Sequence, residues 1–215
     1  MSVFERPIVM LDFETTGLSP AFGDRITEVA AVRIVDGRIA ERYVSLVNTG
    51  ARIPSFITSL TGITQAMVDA APPDTRVVPE LLDFIGTDTL AAHNASFDEK
   101  FLLAESARLG QRCGHAGLVC SLKLSRRVFP GMASYKLGNL SRQLGIGFRS
   151  AAHRAEADAE VAAEVLIHIG RHLGAAYRLP LLHPDLLVAL NKVAAAKVPA
   201  YLDKYTQQRS AARRS

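Results

Sequence analysis

Four carboxylates and one histidine stand in three short blocks of this sequence, in the order Asp12, Glu14, Asp98, His153 and Asp158. Side chains two positions apart on a β-strand point to the same side, so Asp12 and Glu14 can face one divalent cation. Hard cations of this kind take oxygen ligands, which carboxylates supply. A histidine titrates near neutral pH and can take a proton from water. The five residues therefore indicate a divalent-metal site with a general base beside it.

The first block needs a strand to carry it. Ile8 to Phe13 is a short apolar run, which is typical of a strand buried on both faces. Two further segments, Ile26 to Val35 and Arg38 to Val47, flank Asp36-Gly37, the strongest two-residue hairpin signal. The first three strands are therefore predicted to form an antiparallel meander.

The second block lies where a short buried strand, Leu90 to Ala92, meets a helix. Ser96 and Glu99 have the spacing of a capping box, which predicts a helix from Phe97 to Leu109. Asp98 is then expected in the first turn of that helix. The histidine and asparagine that begin this block are expected to be structural and to orient the Asp98 carboxylate.

The third block opens a long helix with one apolar face. Ala162, Val165 and Ile169 follow Asp158 at helical spacing, so the Asp158 carboxylate is predicted on the face turned toward the core. A carboxylate is costly to bury unless it is paired or binds a metal. A metal ion is the simplest partner for Asp158.

The three blocks resemble the exonuclease motifs of the DEDDh family of 3′→5′ exonucleases, which includes the proofreading (epsilon) subunit of bacterial DNA polymerase III. The likeness runs from about Ile8 to about Leu173 and includes Thr61-Gly62-Ile63-Thr64 and Leu137 to Ile146. By this resemblance the acidic quartet and the general base are carried by Asp12, Glu14, Asp98, Asp158 and His153.

The resemblance implies an α/β ribonuclease-H-like exonuclease fold with a mixed five-stranded sheet flanked by helices. It also implies two Mg²⁺ or Mn²⁺ ions, about 3.5–4 Å apart, that stabilise the attacking and leaving oxygens of a phosphodiester. Asp12 and Asp158 would bind the ions directly, and Glu14 would bridge toward substrate and metal. Asp98 would act partly through water, and His153 would take the proton from the attacking water.

Five residues are expected to contact the substrate. Thr15, Thr16 and Gly17 form a tight turn after the first strand, where backbone amides and hydroxyls can hold a terminal nucleotide. Phe56 is expected to stack on bases, because stacking tolerates any sequence. Thr61 is assigned by its position, where many members of the resembling family carry histidine.

The charge of the chain is unevenly distributed. Residues 1–100 hold 8 Lys and Arg against 14 Asp and Glu, a net −6, whereas residues 101–215 hold 17 against 7, a net +10. Beside a phosphodiesterase motif, the basic half indicates contact with nucleic-acid phosphates. The expected partners are single-stranded or frayed DNA 3′ ends and, by the resemblance, a DNA polymerase catalytic subunit. No membrane segment or signal peptide is predicted, so a cytoplasmic location is expected.

The sequence divides into three parts: an exonuclease domain at 1–174, a C-terminal helical extension at 175–206 and a disordered basic tail at 207–215. Pro184 is predicted to begin a helix that runs to about Lys197. Leu186, Leu190 and Val193 form an apolar stripe on it. That stripe either folds back on the exonuclease domain or docks on a partner.

The function predicted from these features is metal-dependent 3′→5′ hydrolysis of phosphodiester bonds at DNA 3′ ends, in proofreading or repair, with release of nucleoside 5′-monophosphates. Two alternatives remain open. The first is an exoribonuclease of the same family, of the ribonuclease T or oligoribonuclease kind, because the motifs do not distinguish the sugars. The second is a non-catalytic polymerase-binding module.

Overall fold

A mixed five-stranded sheet forms the centre of the computed structural model, which describes residues 2–147 and 154–212. Its strands are β1 (Ile8–Thr15), β2 (Ile26–Val35), β3 (Arg38–Leu46), β4 (Thr89–Ala92) and β5 (Leu118–Cys120). The order across the sheet is β3-β2-β1-β4-β5. The pairs β1–β2 and β2–β3 are antiparallel, whereas β1–β4 and β4–β5 are parallel. The predicted α/β class, mixed five-stranded sheet and initial meander are confirmed.

The hairpin between β2 and β3 has the predicted two-residue turn. Asp36 and Gly37 have φ angles of 52° and 70°, so both lie in the left-handed region. A two-residue turn of this kind requires positive φ at both positions, which explains the Asp-Gly pair. The turn sets the register in which β3 follows β2.

Helices cover both faces of the sheet. Within the described residues they are α1 (Ser55–Thr61), α2 (Gln65–Asp69), α3 (Asp74–Ile85), α4 (Ser96–Arg108), α5 (Ser121–Val128), α6 (Leu137–Gln143), α7 (Ala155–Tyr177), α8 (Pro184–Leu190) and α9 (Val198–Ala212), with short 3-10 turns at Pro20–Phe22 and Ala195–Lys197. None of these helices combines the length and apolarity that crossing a membrane requires.

Strand β1 is buried on both faces, as its apolar run predicted. Ile8 and Met10 pack into a core that contains much of α7, whereas Val9 and Leu11 pack into a second core with α3 and α4. Alternate side chains of one strand therefore hold the two helical layers. The end of β1 lies between α4 on one face and α7 on the other.

The capping box predicted at Ser96 is wrong. Helix α4 begins at Ser96 itself, and the preceding Ala95 is already in the helical region, with φ −50° and ψ −25°. The carbonyl of Ala95 accepts from the Glu99 amide, and the carbonyl of Asn94 accepts from the Phe97 amide. Ser96 therefore lies inside the first turn rather than at the extended position that an N-cap side chain needs.

The C-terminal segment is built from shorter helices than predicted. Helix α8 ends at Leu190 instead of continuing to about Lys197, and α9 follows a 3-10 turn. Helix α7, which the third block opens, continues to Tyr177, so the domain boundary expected at residue 174 falls inside this helix. Residues 207–212, expected in a disordered tail, belong to α9, and 213–215 lie outside the described residues.

The apolar stripe of α8 is buried within the chain. Leu186 and Leu190, together with Leu187 beside them, join the same core as α7. The entry to this segment is fixed by a backbone bond from the Leu182 amide to the Val3 carbonyl, at 3.0 Å. The structure therefore favours the fold-back interpretation of the stripe over docking on a partner.

Candidate active site

Three carboxylates meet where β1 ends. Asp12 and Glu14 point to the same side of β1, while Phe13 between them is buried on the opposite side. Asp158 comes from the first turn of α7. One carboxylate oxygen from each of the three lies within 4.8 Å of the others, and all three side chains are half-buried. The carboxyl ends of parallel strands are a common place for ligand sites in α/β proteins, and Asp12 lies just beyond the level at which the parallel strand β4 ends.

Asp98 is held beside this trio from the other side of the sheet. It is only 3% exposed and lies in the first turn of α4. Its Oδ1 accepts a hydrogen bond of 3.2 Å from the backbone amide of Phe13, the residue between Asp12 and Glu14. This bond ties the start of α4 to the strand that carries two of the carboxylates.

Burial and mutual repulsion raise the pKa values of the cluster. The pKa of Asp12 is well above its usual value because its carboxyl group is shielded from water and also faces Asp98, Asp158 and Glu14. The pKa of Glu14 rises to about 7, through burial first and then the charge of Asp158. The pKa of Asp98 rises to about 8, mainly through burial, although its bond from Phe13 opposes the shift. Like charges this close are unfavourable without a cation.

The donor set fits a hard divalent cation. All three groups of the trio supply carboxylate oxygens, which Mg²⁺ and Mn²⁺ prefer, whereas zinc prefers nitrogen or sulfur. A cation between Asp12, Glu14 and Asp158 would offset both the burial and the repulsion that raise these pKa values.

The turn after β1 is shaped by bonds within the protein. The Thr15 hydroxyl donates to the Gly17 carbonyl at 2.6 Å, and the Thr16 hydroxyl accepts from the Arg25 amide at 3.0 Å. A Cβ at Gly17 would lie 2.4 Å from the Asp24 carboxylate, so the close approach that glycine permits here is by Asp24. The two threonines are buried and fix the turn.

The other two expected substrate contacts lie on or beside α1. Phe56 is 64% exposed, and Leu60, one turn later, is also exposed. Thr61 is buried; its hydroxyl donates to the Ile57 carbonyl and accepts from the Ile63 amide. Phe56 is therefore open to contact from outside the chain, whereas Thr61 secures the end of α1.

His93 does not orient Asp98, contrary to expectation. Its Nδ1 lies 2.9 Å from the Ser121 hydroxyl, and its Nε2 lies 2.9 Å from the Tyr135 carbonyl. The ring therefore links the end of β4 to α5 and to the loop before α6. Burial lowers the pKa of His93, which favours the neutral ring. The expected general base, His153, lies outside the described residues.

Two charged residues beside the trio were not predicted from the sequence. Glu28 is buried on β2 and is the register partner of Glu14 across the β1–β2 pair. Arg154, at the start of α7, forms an ion pair with Glu28 in which Nη2 lies 2.5 Å from Oε1. A signal was present, because Glu28 is the one acidic residue in the apolar run Ile26 to Val35. A lone carboxylate in such a strand requires a partner.

The mixed sheet, its flanking helices and the acidic cluster define a nuclease hydrolase of the ribonuclease-H-like fold. A family model described as Exonuclease (RNase T) matches residues 9–166. That match covers most of the chain and includes Asp12, Glu14, Asp98 and Asp158. The chain belongs to this exonuclease family.

The chain is similar in sequence to bacterial exonucleases and polymerase subunits. It is 38% identical over 161 residues to the 3′-5′ exonuclease DinG of Bacillus subtilis (strain 168), which covers 75% of this chain and 17% of DinG. It is 34% identical over 168 residues to the DNA polymerase III subunit epsilon of Aquifex aeolicus (strain VF5), which covers 78% of this chain and 82% of that subunit. The chain thus matches only a small part of DinG but most of the epsilon subunit.

Solved structures show the same fold. Exonuclease X, in complex with 5′ overhanging duplex DNA, superposes with a TM-score of 0.69 at 27% identity. The match covers 86% of this chain and 99% of exonuclease X. Escherichia coli exonuclease I, in complex with a dT13 oligonucleotide, has a TM-score of 0.69 at 18% identity, over 81% of this chain and 43% of that one. The ribonuclease-H-like architecture expected from the sequence is confirmed.

Proposed function

We propose that this chain is a metal-dependent 3′→5′ exonuclease that removes nucleoside 5′-monophosphates from single-stranded or frayed DNA 3′ ends. One observation carries the proposal: carboxylate oxygens of Asp12, Glu14 and Asp158 converge within 4.8 Å at the end of the central strand. Hydrolysis of a phosphodiester develops negative charge on the attacking and leaving oxygens. Carboxylates alone would repel that charge, so they can assist the reaction only by holding cations. Bound Mg²⁺ or Mn²⁺, in a two-ion site, would stabilise the attacking and leaving oxygens.

The protein's residues divide the remaining work. Asp12 and Asp158 would hold the cations directly, with Glu14 between the cations and the substrate. Asp98, fixed by the Phe13 amide, is close enough to raise the pKa of Asp12 and acts partly through water. His153 accepts the proton of the attacking water, a role worth roughly 10²–10⁴-fold in rate.

The substrate site is formed by the turn after β1 and by α1. Thr15, Thr16 and Gly17 present a rigid turn to the terminal nucleotide, and exposed Phe56 stacks on a base. Thr61 supports the end of α1, on which Phe56 lies. The basic half of the chain contacts the phosphates beyond the terminal nucleotide.

Two comparisons favour DNA over RNA. The related Aquifex protein is named a subunit of DNA polymerase III, and exonuclease X is described with duplex DNA. By analogy with the epsilon subunit, this chain acts in proofreading, with a DNA polymerase catalytic subunit as partner, or in repair on its own. These assignments concern the whole protein and rest on the resemblance.

The first test is a time course on DNA and RNA oligonucleotides of the same sequence. The intact chain is expected to shorten DNA from its 3′ end with Mg²⁺ or Mn²⁺, to stop with a chelator and to resume when metal is restored. Mismatched 3′ ends should be trimmed faster than paired ones, because a frayed terminus avoids an unstacking cost of a few kcal/mol. Faster trimming of RNA would favour the exoribonuclease alternative, and full activity with chelator would contradict the proposal.

The same assay tests the general base. Replacing His153 with alanine is expected to lower the rate by roughly 10²–10⁴-fold and to flatten the acid side of the pH–rate profile, because an imidazole must be neutral to accept a proton. His115→Ala provides the matched control, since His115 lies outside the three blocks. An unchanged acid limb in His153→Ala would assign the base to another group.

A further inference from the structure

A buried carboxylate that the proposed chemistry does not use lies next to the metal ligands. Glu28 is 2% exposed and lies on β2, directly across the antiparallel pair from Glu14. Neighbouring strand residues Val29 and Ala30 are apolar and fully buried. Another negative charge beside the trio would add to the repulsion there unless something compensates it.

The compensation comes from the first residues of α7. Arg154 Nε lies 3.2 Å from both oxygens of the Glu28 carboxylate, and Arg154 Nη2 lies 2.5 Å from Oε1. The backbone amide of Ala155, the first residue of α7, donates to Oε2 at 2.9 Å. The Glu28 carboxylate thus satisfies one of the unpaired amides at the helix N-terminus and receives a forked guanidinium as well.

This arrangement fixes the helix that carries Asp158. Arg154 occupies the N-cap position of α7 with an extended backbone, and its own side chain makes no capping bond to the helix. Asp158 follows in the first turn, and its amide donates to the Arg154 carbonyl at 3.1 Å. The position of Asp158 relative to β1 therefore depends on how the preceding turn is held.

We propose that Glu28 and Arg154 are positioning residues that clamp the first turn of α7 to β2 and so hold Asp158 against Asp12 and Glu14. The inference rests on the proposed metal site but concerns residues outside it. Groups that orient metal ligands from behind commonly change metal affinity by about 10–100-fold when they are replaced. Glu28 and Arg154 would act in this way through the backbone of α7.

A second ion pair on the same helix supplies a matched control. Arg42 on β3 binds Glu160 on α7, with Nε 2.7 Å from Oε1. The side chains of Arg42 and Arg154 are 40% and 43% exposed, so the two arginines are similarly placed with respect to solvent. Arg42 also ties α7 to the sheet, but it does not bind Glu28, the carboxylate that accepts from the N-terminal amide of the helix. Arg42→Met therefore removes an ion pair without releasing the clamp.

The experiment compares Mn²⁺ binding to the intact chain, measured by electron paramagnetic resonance of the free ion, with melting temperatures measured without metal. The variants are Arg154→Met, the charge-matched pair Glu28→Gln with Arg154→Met, and Arg42→Met. Both variants at Arg154 are expected to weaken Mn²⁺ binding by about 10-fold. Arg42→Met should stay within about twofold of the natural chain, as expected for an exposed ion pair.

The direction of the change separates positioning from charge. Arg154→Met alone leaves Glu28 unpaired and makes the region more negative, so a simple charge effect would tighten Mn²⁺ binding. Positioning predicts weaker binding in that variant and in the charge-matched pair. Arg154→Lys keeps the charge and loses the fork, so an intermediate affinity is expected, and this variant decides the question if Arg154→Met does not fold.

Tighter binding in Arg154→Met, or Mn²⁺ affinity in the charge-matched pair equal to that of Arg42→Met, would overturn the inference. Nuclease activity of each variant is recorded separately as kcat and KM. A natural chain that binds Mn²⁺ but cleaves neither DNA nor RNA would remove the proposed function, while the binding comparison would still decide whether Glu28 and Arg154 position Asp158.

Discussion

Asp12 combines two unfavourable conditions: its carboxyl group is shielded from water, and it lies close to other carboxylates. Its pKa is raised first by burial and then by Asp98, Asp158 and Glu14, so without a cation the folded protein favours its protonated form. Charged groups collected for chemistry commonly lower the stability of the folded state. The arrangement makes sense for a protein that folds around these groups and stabilises them with metal.

Replacing Asp12 with asparagine tests this balance. The variant keeps the size of the side chain and removes a charge, so the metal-free protein is expected to gain on the order of 1 kcal/mol at pH 8, or roughly 2–4 °C in melting temperature. Nuclease activity should disappear, and added Mg²⁺ should no longer raise the melting temperature. Thermal unfolding with and without Mg²⁺ measures both effects.

The matched control is Asp203→Asn, which makes the same change at an exposed site on α9. This control should melt within about 1 °C of the natural chain, as surface substitutions usually do. A metal-free Asp12→Asn that melts lower than the natural chain, with its response to Mg²⁺ retained, would show that repulsion at this site is unimportant.

Local signals predicted those elements whose geometry is settled by neighbouring residues. The hairpin at Asp36-Gly37 and the buried run of β1 are of this kind, because a turn type and a doubly buried strand leave direct marks in the sequence. The candidate metal ligands were likewise recognisable from their spacing, and the motifs that contain them resemble those of the family to which the chain belongs. The Asp12 and Glu14 side chains, predicted to face one ion, converge with Asp158 in the structure.

Elements that depend on distant contacts were missed. Glu28 and Arg154 are separated by 126 positions, so their bond follows only from the packing of α7 on the sheet. Helix α8 stops early for a similar reason: Asn191 donates to the Cys120 carbonyl and accepts from the Cys120 amide. Because Asn191 is bound to β5, the chain leaves the helix after Leu190, although apolar spacing alone predicted that the helix would continue.

The stripe on α8 should be important for folding. Leu187 is fully buried in the core shared with α7, so Leu187→Ala is expected to lower the free energy of unfolding by about 2–5 kcal/mol. Leu103→Ala, at a position 48% exposed on α4, is the matched control and should change it by less than about 0.5 kcal/mol. Chemical denaturation of the intact chain measures both changes. Equal stability of the two variants would mean that α8 does not pack on the core in solution.

The site draws its residues from both layers of the molecule. Asp98 arrives on α4, which packs on one face of the sheet, and Asp158 arrives on α7, which packs on the other. Strand β1 brings Asp12 and Glu14 between them. Metal binding therefore joins the two layers through the sheet, and the stability of the whole chain should respond to metal.

The pKa shifts give that response a dependence on pH. The pKa of Glu14 rises from 4.5 to about 7, and the pKa of Asp98 rises from 3.8 to about 8. A carboxyl whose pKa is higher in the folded state binds its proton more tightly there. Its contribution to the metal-free protein is thus complete below about pH 4, the unfolded value, and is lost as the pH rises through 7 to 8.

Mg²⁺ should reverse this loss, because it binds the deprotonated carboxylates. The increase in melting temperature caused by saturating Mg²⁺ is therefore expected to be small at pH 5.5 and several degrees larger at pH 8, where the cluster is charged. Differential scanning calorimetry at the two pH values measures the difference, with ionic strength held constant to exclude general screening. Asp12→Asn, which lacks part of the cluster, should show no such increase at either pH value. An equal Mg²⁺ response of the natural chain at pH 5.5 and pH 8 would mean that the carboxylates are already ionised at the lower pH, contrary to the burial and repulsion that raise their pKa values.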